Sequence, residues 1–153
     1  MASKITVALA HEGIACLQRL SDAFRRRREA LALSVGLTDG QWMLLEEIAS
    51  EHFMPSMFAR TRESSAAAVS KALRQLLDKG LVSVGLSKED GRHRAYLLTA
   101  KGKRLLETLR QEREQAIQTI WLPLAPAEVQ TFVAFATQLS DRMEQYGTNH
   151  KEI

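Results

Sequence analysis

Along most of this chain the apolar residues follow helical spacing, and in one place the pattern changes to that of paired strands. Residues 81–86 and 95–98 are typical of short strands, and the polar residues 87–91 between them are typical of a turn. Helical spacing marks the segments 8–35, 39–50, 66–79, 100–120 and the residues after Pro126, with a short helix beginning at Pro55. The order α-α-α-α-β-β-α-α predicts a mainly α fold with a small β-hairpin (α+β). We interpret it as a winged helix-turn-helix between long N- and C-terminal helices.

Capping residues mark the ends of several predicted helices. Thr38 and Gln41 have the spacing of a capping box, in which the threonine oxygen accepts a backbone N–H and the glutamine reaches back. Gly36 and Gly80 follow the last apolar positions of two helices, where glycine is favoured. Thr99 is expected to cap the helix after the second strand.

Length and composition limit the class of protein. The chain has 153 residues, of which 45% are hydrophobic and 25% charged, which favours one globular domain. Its apolar runs are far shorter than the ~20 residues that a membrane span needs, and its first residues lack the features of a secretory signal. Cys16 is the single cysteine, so no internal disulfide can form. We therefore expect a cytoplasmic protein with no membrane partner.

Recognisable catalytic motifs are absent from the sequence. There is no CxxC, HExxH, P-loop, GxGxxG or G-x-S-x-G pattern, and the four histidines are scattered. No metal-ligand spacing is present either. We therefore expect neither an enzyme nor a cofactor or bound metal.

Positive charge is concentrated in the middle of the chain. The whole chain has a net charge of +3, whereas residues 54–104 contain eleven Lys/Arg and four Asp/Glu, a net +7 that leaves −4 for the flanks. A basic segment between acidic ends is typical of a module that binds phosphates. A solvated basic face is the alternative.

The helix beginning at residue 66 is the candidate recognition helix, because the second helix of a helix-turn-helix lies in the major groove. Hydroxyls and long cations can bond phosphates or bases, and alanines allow close approach to a thymine methyl. An alanine-rich start also simply favours a helix. The predicted DNA-binding residues here are Ser64, Ser65, Ala66, Ala67, Ser70, Lys71 and Arg74. Because few of them can bond a base in two places, DNA shape is expected to contribute to sequence preference.

The tip of the predicted hairpin is the second candidate DNA contact. Asp90 and Gly91 favour a turn whose carboxylate fixes the tip through backbone N–H groups or an arginine. An arginine here could enter a narrow minor groove, where negative potential is concentrated. The predicted DNA-binding residues of the tip are Lys88, Asp90, Arg92, His93 and Arg94. A solvated surface turn is the alternative.

Three motifs of the hairpin region resemble the MarR family of winged-helix transcriptional regulators. They are Gly80-Leu81-Val82, Asp90-x-Arg92 and Leu98-Thr99-x-x-Gly102. The resemblance extends to residues 36–42 and to the long terminal helices, and so covers most of the chain.

The resemblance implies a homodimer whose terminal helices intertwine and whose two lobes bind a pseudo-palindromic double-stranded DNA operator. On this basis residues 1–153 form one MarR-like domain. Its DNA-binding lobe is 38–98, and its dimerisation helices are 1–36 and 100–147. The resemblance also implies a repressor that a small aromatic or phenolic ligand releases. By position, His11, Arg19, Trp42 and Met43 are the candidate ligand-binding residues; core packing is the alternative for Trp42, and a surface or core role for His11.

Two positions depart from the family pattern. Arg62 stands where the family usually has an apolar residue, so either the third helix ends elsewhere or Arg62 turns to a phosphate. Cys16 lacks the two tyrosine partners of the peroxide-sensing branch, since Asp39 follows Thr38. We therefore expect an inert, buried thiol.

The leading hypothesis is a dimeric repressor that responds to a ligand. A DNA-binding regulator that needs no ligand is one alternative, and a winged-helix module that binds another protein is a second. The basic run 25–28 on the first helix is expected to be a solvated face that pairs with acids of the partner subunit, with binding of anions or of flanking DNA as the alternative.

Overall fold

The computed structural model describes residues 5–50, 53–86 and 94–149. In these ranges the elements are α1 (Val7–Ser34), α2 (Asp39–Ala49), α3 (Pro55–Thr61), α4 (Ala66–Asp78), β1 (Val82–Leu86), β2 (Arg94–Leu98), α5 (Ala100–Ile120) and α6 (Pro126–Asn149). The predicted mainly α fold with a β-hairpin is confirmed, and most element boundaries fall within two residues of those expected. Two compact units divide the chain, Met1–Leu109 and Arg110–Ile153. The division into a 38–98 lobe and two dimerisation segments stays a prediction.

The predicted N-terminal caps are present. Thr38 Oγ1 accepts a hydrogen bond from the Gln41 backbone N–H at 3.2 Å, and the Gln41 side chain accepts one from the Thr38 N–H at 3.1 Å. Thr99 Oγ1 accepts from the Gly102 N–H at 3.0 Å and so caps α5. These bonds satisfy donors that the first turn of a helix leaves without partners.

Three helices end in the same backbone motif. In this motif the N–H of the second residue after the C-cap donates a hydrogen bond to the carbonyl of the third residue from the end of the helix. The motif ends α1 at Gly36 with φ +74° and α4 at Gly80 with φ +68°. In α3 the corresponding residue is Glu63 with φ +49°. The Ser64 N–H donates to the Ala59 carbonyl at 2.9 Å, and the Glu63 N–H donates to the Arg60 carbonyl at 3.3 Å. A glutamate therefore takes a left-handed conformation that glycine adopts more easily.

The core of the first unit lies between α2, α4 and the hairpin. Its fully buried side chains include Leu44, Leu45 and Leu76, and Trp42 is 3% exposed. Gln41 is buried among them, and its Nε2 donates to Gln75 Oε1 at 2.8 Å, which joins α2 to α4.

The hairpin is a two-stranded antiparallel sheet in which Val82 pairs with Leu98 and Val84 with Tyr96. Its base is fixed to the following helix, since Thr99 Oγ1 donates to the Gly80 carbonyl at 2.7 Å and the Thr99 N–H donates to the Leu81 carbonyl at 3.1 Å. This contact brings together residues of the first and third motifs noted in the sequence.

The long helices keep most of their apolar side chains exposed on the single chain. In α1 only Ala32 is buried, while Ile14, Leu20 and Phe24 are 52%, 45% and 55% exposed. In the second unit, α6 has no buried residue among those whose exposure is described. Among the described residues, no helix has both the length and the apolar character that crossing a membrane requires.

Candidate DNA-binding surface

The turn between α3 and α4 positions the candidate recognition helix. α3 ends at Thr61, and Arg62 is its C-cap with φ −99°. Ser65 is the N-cap of α4, and its Oγ accepts a hydrogen bond from the Ala68 N–H at 3.1 Å. The hydroxyl hydrogen of Ser65 remains available as a donor. Because α3 ends at Thr61, Arg62 belongs to the turn itself.

The two sides of α4 differ in character, as its sequence predicted. Val69, Leu73 and Leu76 are buried against the core. The exposed residues include Ser65, Ala66, Ala67, Ser70, Lys71 and Arg74, and Ser64 is half-buried. α4 thus presents small, hydroxyl and cationic side chains to solvent, which are the side chains that contact bases and phosphates in a major groove.

The predicted hairpin contacts lie mostly outside the described residues, where Lys88, Asp90, Arg92 and His93 fall. Arg94 is the first residue of β2, and its backbone pairs with Leu86.

The candidate ligand residue Trp42 is a core side chain that is already covered by an arginine of α1. The guanidinium of Arg28 lies 5.5 Å from the centre of the Trp42 ring. Arg28 Nε also forms an ion pair with Asp39 in the first turn of α2. One arginine thus ties α1 to the start of α2 through a stacked ring and a carboxylate.

The other candidate ligand residues occupy different surroundings. Met43 is half-buried and lines a cavity between α2 and α4. His11 and Arg19 are exposed on α1, where Arg19 Nη2 donates to Cys16 Sγ at 3.2 Å. The expected burial of Cys16 is wrong for the single chain, because the thiol is exposed on an apolar helix face that this chain leaves uncovered.

The arginines at 25 and 28 pair with acids of their own chain, whereas the sequence favoured acids of the partner subunit. Arg25 bonds Asp22 at 3.0 Å and Glu29 at 3.3 Å along α1. These hydrogen bonds, that to Asp22 first, raise the pKa of Arg25 above its usual value. Arg26 and Arg27 are exposed.

The sequence offered a phosphate contact for Arg62 only as an alternative, and the structure places this residue at the helix-turn-helix turn. The sequence did contain a signal for this role, because Arg62 stands where an apolar residue was expected. No group of three or more potential metal-binding side chains occurs within the described ranges.

Residues 35–93 match the model of the MarR family. No match was found among curated proteins. Among solved structures, the chain is similar to a MarR family transcription regulator, with 15% identity, a TM-score of 0.80, and coverage of 92% of this chain and 94% of that one. It is also similar to Staphylococcus aureus MarR in complex with salicylate and kanamycin (20% identity, TM-score 0.73, coverage 91% and 95%). A third similar structure is the S. aureus MepR–DNA complex (19% identity, TM-score 0.65, coverage 92% and 99%). At these identities the structural similarity establishes the fold.

Proposed function

Because this chain is a winged-helix protein of the MarR family, we propose that it acts as a homodimeric transcriptional regulator that binds a specific operator. In this proposal it is a repressor that a small aromatic or phenolic ligand releases. The single observation that carries the proposal is the division of α4 into a buried apolar side and an exposed side with Ser70, Lys71 and Arg74. The chain shares its fold with S. aureus MepR, whose structure is a complex with DNA, and this similarity supports DNA binding.

The exposed face of α4 is small and polar enough to enter a major groove. Ala66 and Ala67 allow the helix start to approach the base edges, and Ser70 and Arg74 lie one turn apart on the same face. An arginine can bond guanine in two places, and an alanine methyl can contact a thymine methyl. These contacts would confer sequence preference on a lobe held by phosphate contacts.

The exposed apolar residues of the long helices support a homodimer. α1 leaves Leu17, Leu20 and Phe24 at least 39% exposed, and α6 leaves Phe132 and Phe135 at least 42% exposed. Monomers rarely leave such continuous apolar surfaces in water, and a two-fold contact buries the same surface on both subunits. Two lobes related in this way would bind half-sites about 34–36 Å apart.

Ligand control is proposed by analogy with S. aureus MarR, whose structure is in complex with salicylate and kanamycin. In this chain the ligand would favour a lobe spacing that no longer matches successive major grooves, which shifts the population away from the DNA-bound state.

The proposal is tested by fluorescence anisotropy of the full-length protein at physiological salt. The duplexes are DNA from upstream of its own gene, a tight-binding duplex selected from a randomised pool, and a scrambled control. We expect tight binding to the selected duplex, weak binding to the scrambled one, and release by an aromatic acid such as salicylate. Specific binding that no aromatic acid weakens would favour a regulator that needs no ligand. Equal, weak binding to all duplexes would contradict the proposal and favour a protein-interaction module.

A further inference from the structure

Among the residues that the structure describes, a groove beside the recognition helix is lined by two cations and no acid. This α2–α4 groove, a cavity of about 510 Å³, lies between α2, the turn after α3 and one flank of α4. Leu44, Phe58 and Val69 contribute to its apolar lining, and Arg62, Ser64 and Lys71 contribute polar groups. The groove therefore combines positive charge and a hydroxyl at the helix-turn-helix turn.

Lys71 lies on a different side of α4 from the residues expected to contact bases. Ala68, Lys71 and Gln75 follow one another at three- and four-residue intervals, and all three line the groove. Ser70 and Arg74 are absent from that lining and belong to the outer face. A helix in the major groove turns one face to the base edges and its flanks to the sugar–phosphate strands. The position of Lys71 on the flank thus favours a phosphate contact.

Arg62 reaches the same groove from the turn. Its backbone is fixed, because its own N–H donates to the Phe58 carbonyl at 3.1 Å and the next two N–H groups close the end of α3. Arg62 and Lys71 are both exposed, and neither is in an ion pair with a described residue. Arg62 and Lys71 line the same groove with no carboxylate among its described lining residues, and an anion between them would reduce their mutual repulsion.

We propose that Arg62 and Lys71 together bind one backbone phosphate of the bound duplex. Arg62 is then a DNA-contact residue, and Lys71 contacts a phosphate instead of a base edge. The phosphate fixes the turn and the start of α4 on the strand, so that Ser70 and Arg74 meet the bases in one register. This inference rests on the proposed function.

The test measures affinity against salt concentration for the full-length wild type, Arg62→Gln, Lys71→Gln and the double variant. The duplexes are the one selected from a randomised pool and its scrambled control. We expect Arg62→Gln to weaken binding and to reduce the salt slope, which is the steepness with which the logarithm of the binding constant falls with the logarithm of the salt concentration. The double variant should lower that slope by about one unit in total, as loss of one phosphate contact does. The ratio of specific to scrambled affinity should stay the same, and Arg142→Gln on α6 should leave the slope unchanged.

Three results would overturn the inference. An Arg62→Gln slope and affinity equal to wild type would remove Arg62 from the interface. A loss of about two units in the double variant would mean two separate phosphates. If the ratio of specific to scrambled affinity changed in a single variant, the residue replaced in that variant would be a base contact. A wild-type protein that fails to prefer the selected duplex would instead contradict the proposed function.

A second measurement works even where Arg62→Gln fails to fold. Methylphosphonates replace single phosphates of the selected duplex, each removing one negative charge. In the wild type, substitution at the shared phosphate should weaken binding. In Lys71→Gln the same substitution should have a smaller effect that is still measurable, because Arg62 still contacts that phosphate; no effect at all would mean that Lys71 contacts the phosphate alone. Arg62→Lys, which keeps the charge, should keep that sensitivity. Unchanged sensitivity in Lys71→Gln at every phosphate would contradict the shared site.

Discussion

Gly102 in α5 lies so close to the Leu81 carbonyl oxygen that a Cβ on this residue would be 2.2 Å from it. The approach brings the first turn of α5 against the chain entering β1, and Thr99 secures it by donating to the Gly80 carbonyl and accepting from the Gly102 N–H. The base of the hairpin and the start of α5 therefore pack backbone against backbone, which leaves no room for a side chain at residue 102.

Substitution of Gly102 by alanine should destabilise the protein. The new methyl group would overlap a backbone oxygen that cannot rotate away, so either β1 or α5 must shift, at a cost of about 1–3 kcal/mol of unfolding free energy. Gly147→Ala in α6 is the matched control. Its Cβ would meet nothing within 4 Å, and alanine favours a helix over glycine by about 1 kcal/mol. Urea denaturation followed by circular dichroism measures both; equal stability of Gly102→Ala and wild type would show that the approach tolerates a Cβ.

Glycine in place of Glu63 should stabilise the fold. Glu63 has φ +49° at the end of α3, where α1 and α4 have Gly36 and Gly80. A left-handed non-glycine residue costs about 1–2 kcal/mol, and the greater freedom of glycine in the unfolded chain offsets part of the gain. We expect a net increase of about 0.5–1 kcal/mol in the unfolding free energy.

The stability of Glu63→Gly is measured by the same urea denaturation as that of Gly102→Ala. Two control variants separate backbone strain from charge in this measurement. Glu63→Gln removes the carboxylate and keeps the side chain, so its stability should stay close to wild type. Gly36→Ala, at the same position of the motif in α1, should lose about 1 kcal/mol. A gain in Glu63→Gln as large as that in Glu63→Gly would assign the effect to charge.

Features set by neighbouring residues were predictable from the sequence, whereas those set by distant residues were not. The capping box of Thr38 and Gln41 and the end of α4 at Gly80 depend on local hydrogen bonds, so their residue types reveal them. The bond from Gln41 to Gln75 joins residues 34 positions apart, and no local pattern encodes it. Glu63 escaped notice because the motif it completes normally has glycine.

The candidate site shows the same limit. Helical spacing predicted the buried and exposed sides of α4, since burial follows the period of the helix. Spacing did not place Arg28 over Trp42, because their contact depends on how α1 packs against α2. Ile14 and Phe24 follow the spacing of a buried face yet are exposed on the single chain. Periodicity reveals that a face is apolar without identifying the molecule that covers it.

The ion pair between Arg28 and Asp39 should contribute modestly to stability. Both side chains are more than a third exposed, so water screens the pair, and we expect a coupling of about 0.5–1 kcal/mol in a double-mutant cycle. Arg28→Ala alone should cost more than Asp39→Ala, because it also removes the cation stacked on Trp42. High salt should reduce the coupling. A cycle with no coupling would limit Arg28 to its contact with Trp42.

A negative charge on the apolar face of α1 should prevent dimer formation. Leu20 is 45% exposed on the single chain, and its burial against a second copy would force a glutamate at this position out of water. Leu20→Glu should therefore shift the molar mass measured by light scattering from two chains toward one. Gln18→Glu adds the same charge two residues away, outside the apolar face of α1, and should leave the dimer intact. A wild-type protein that is monomeric at micromolar concentration would contradict the proposed dimer.

Arg74 and Lys71 should differ in their effects on sequence preference, although both are exposed cations one turn or less apart on α4. Arg74 shares the outer face with Ser70, so Arg74→Ala should weaken binding to the selected duplex by about 1–3 kcal/mol and leave the scrambled duplex nearly unaffected. Lys71→Gln should weaken both duplexes equally, because a phosphate carries no sequence information. Anisotropy on the two duplexes at one salt concentration measures both variants. An equal loss on both duplexes for Arg74→Ala would make it a phosphate contact and leave base reading to Ser65, Ser70 and the shape of the DNA.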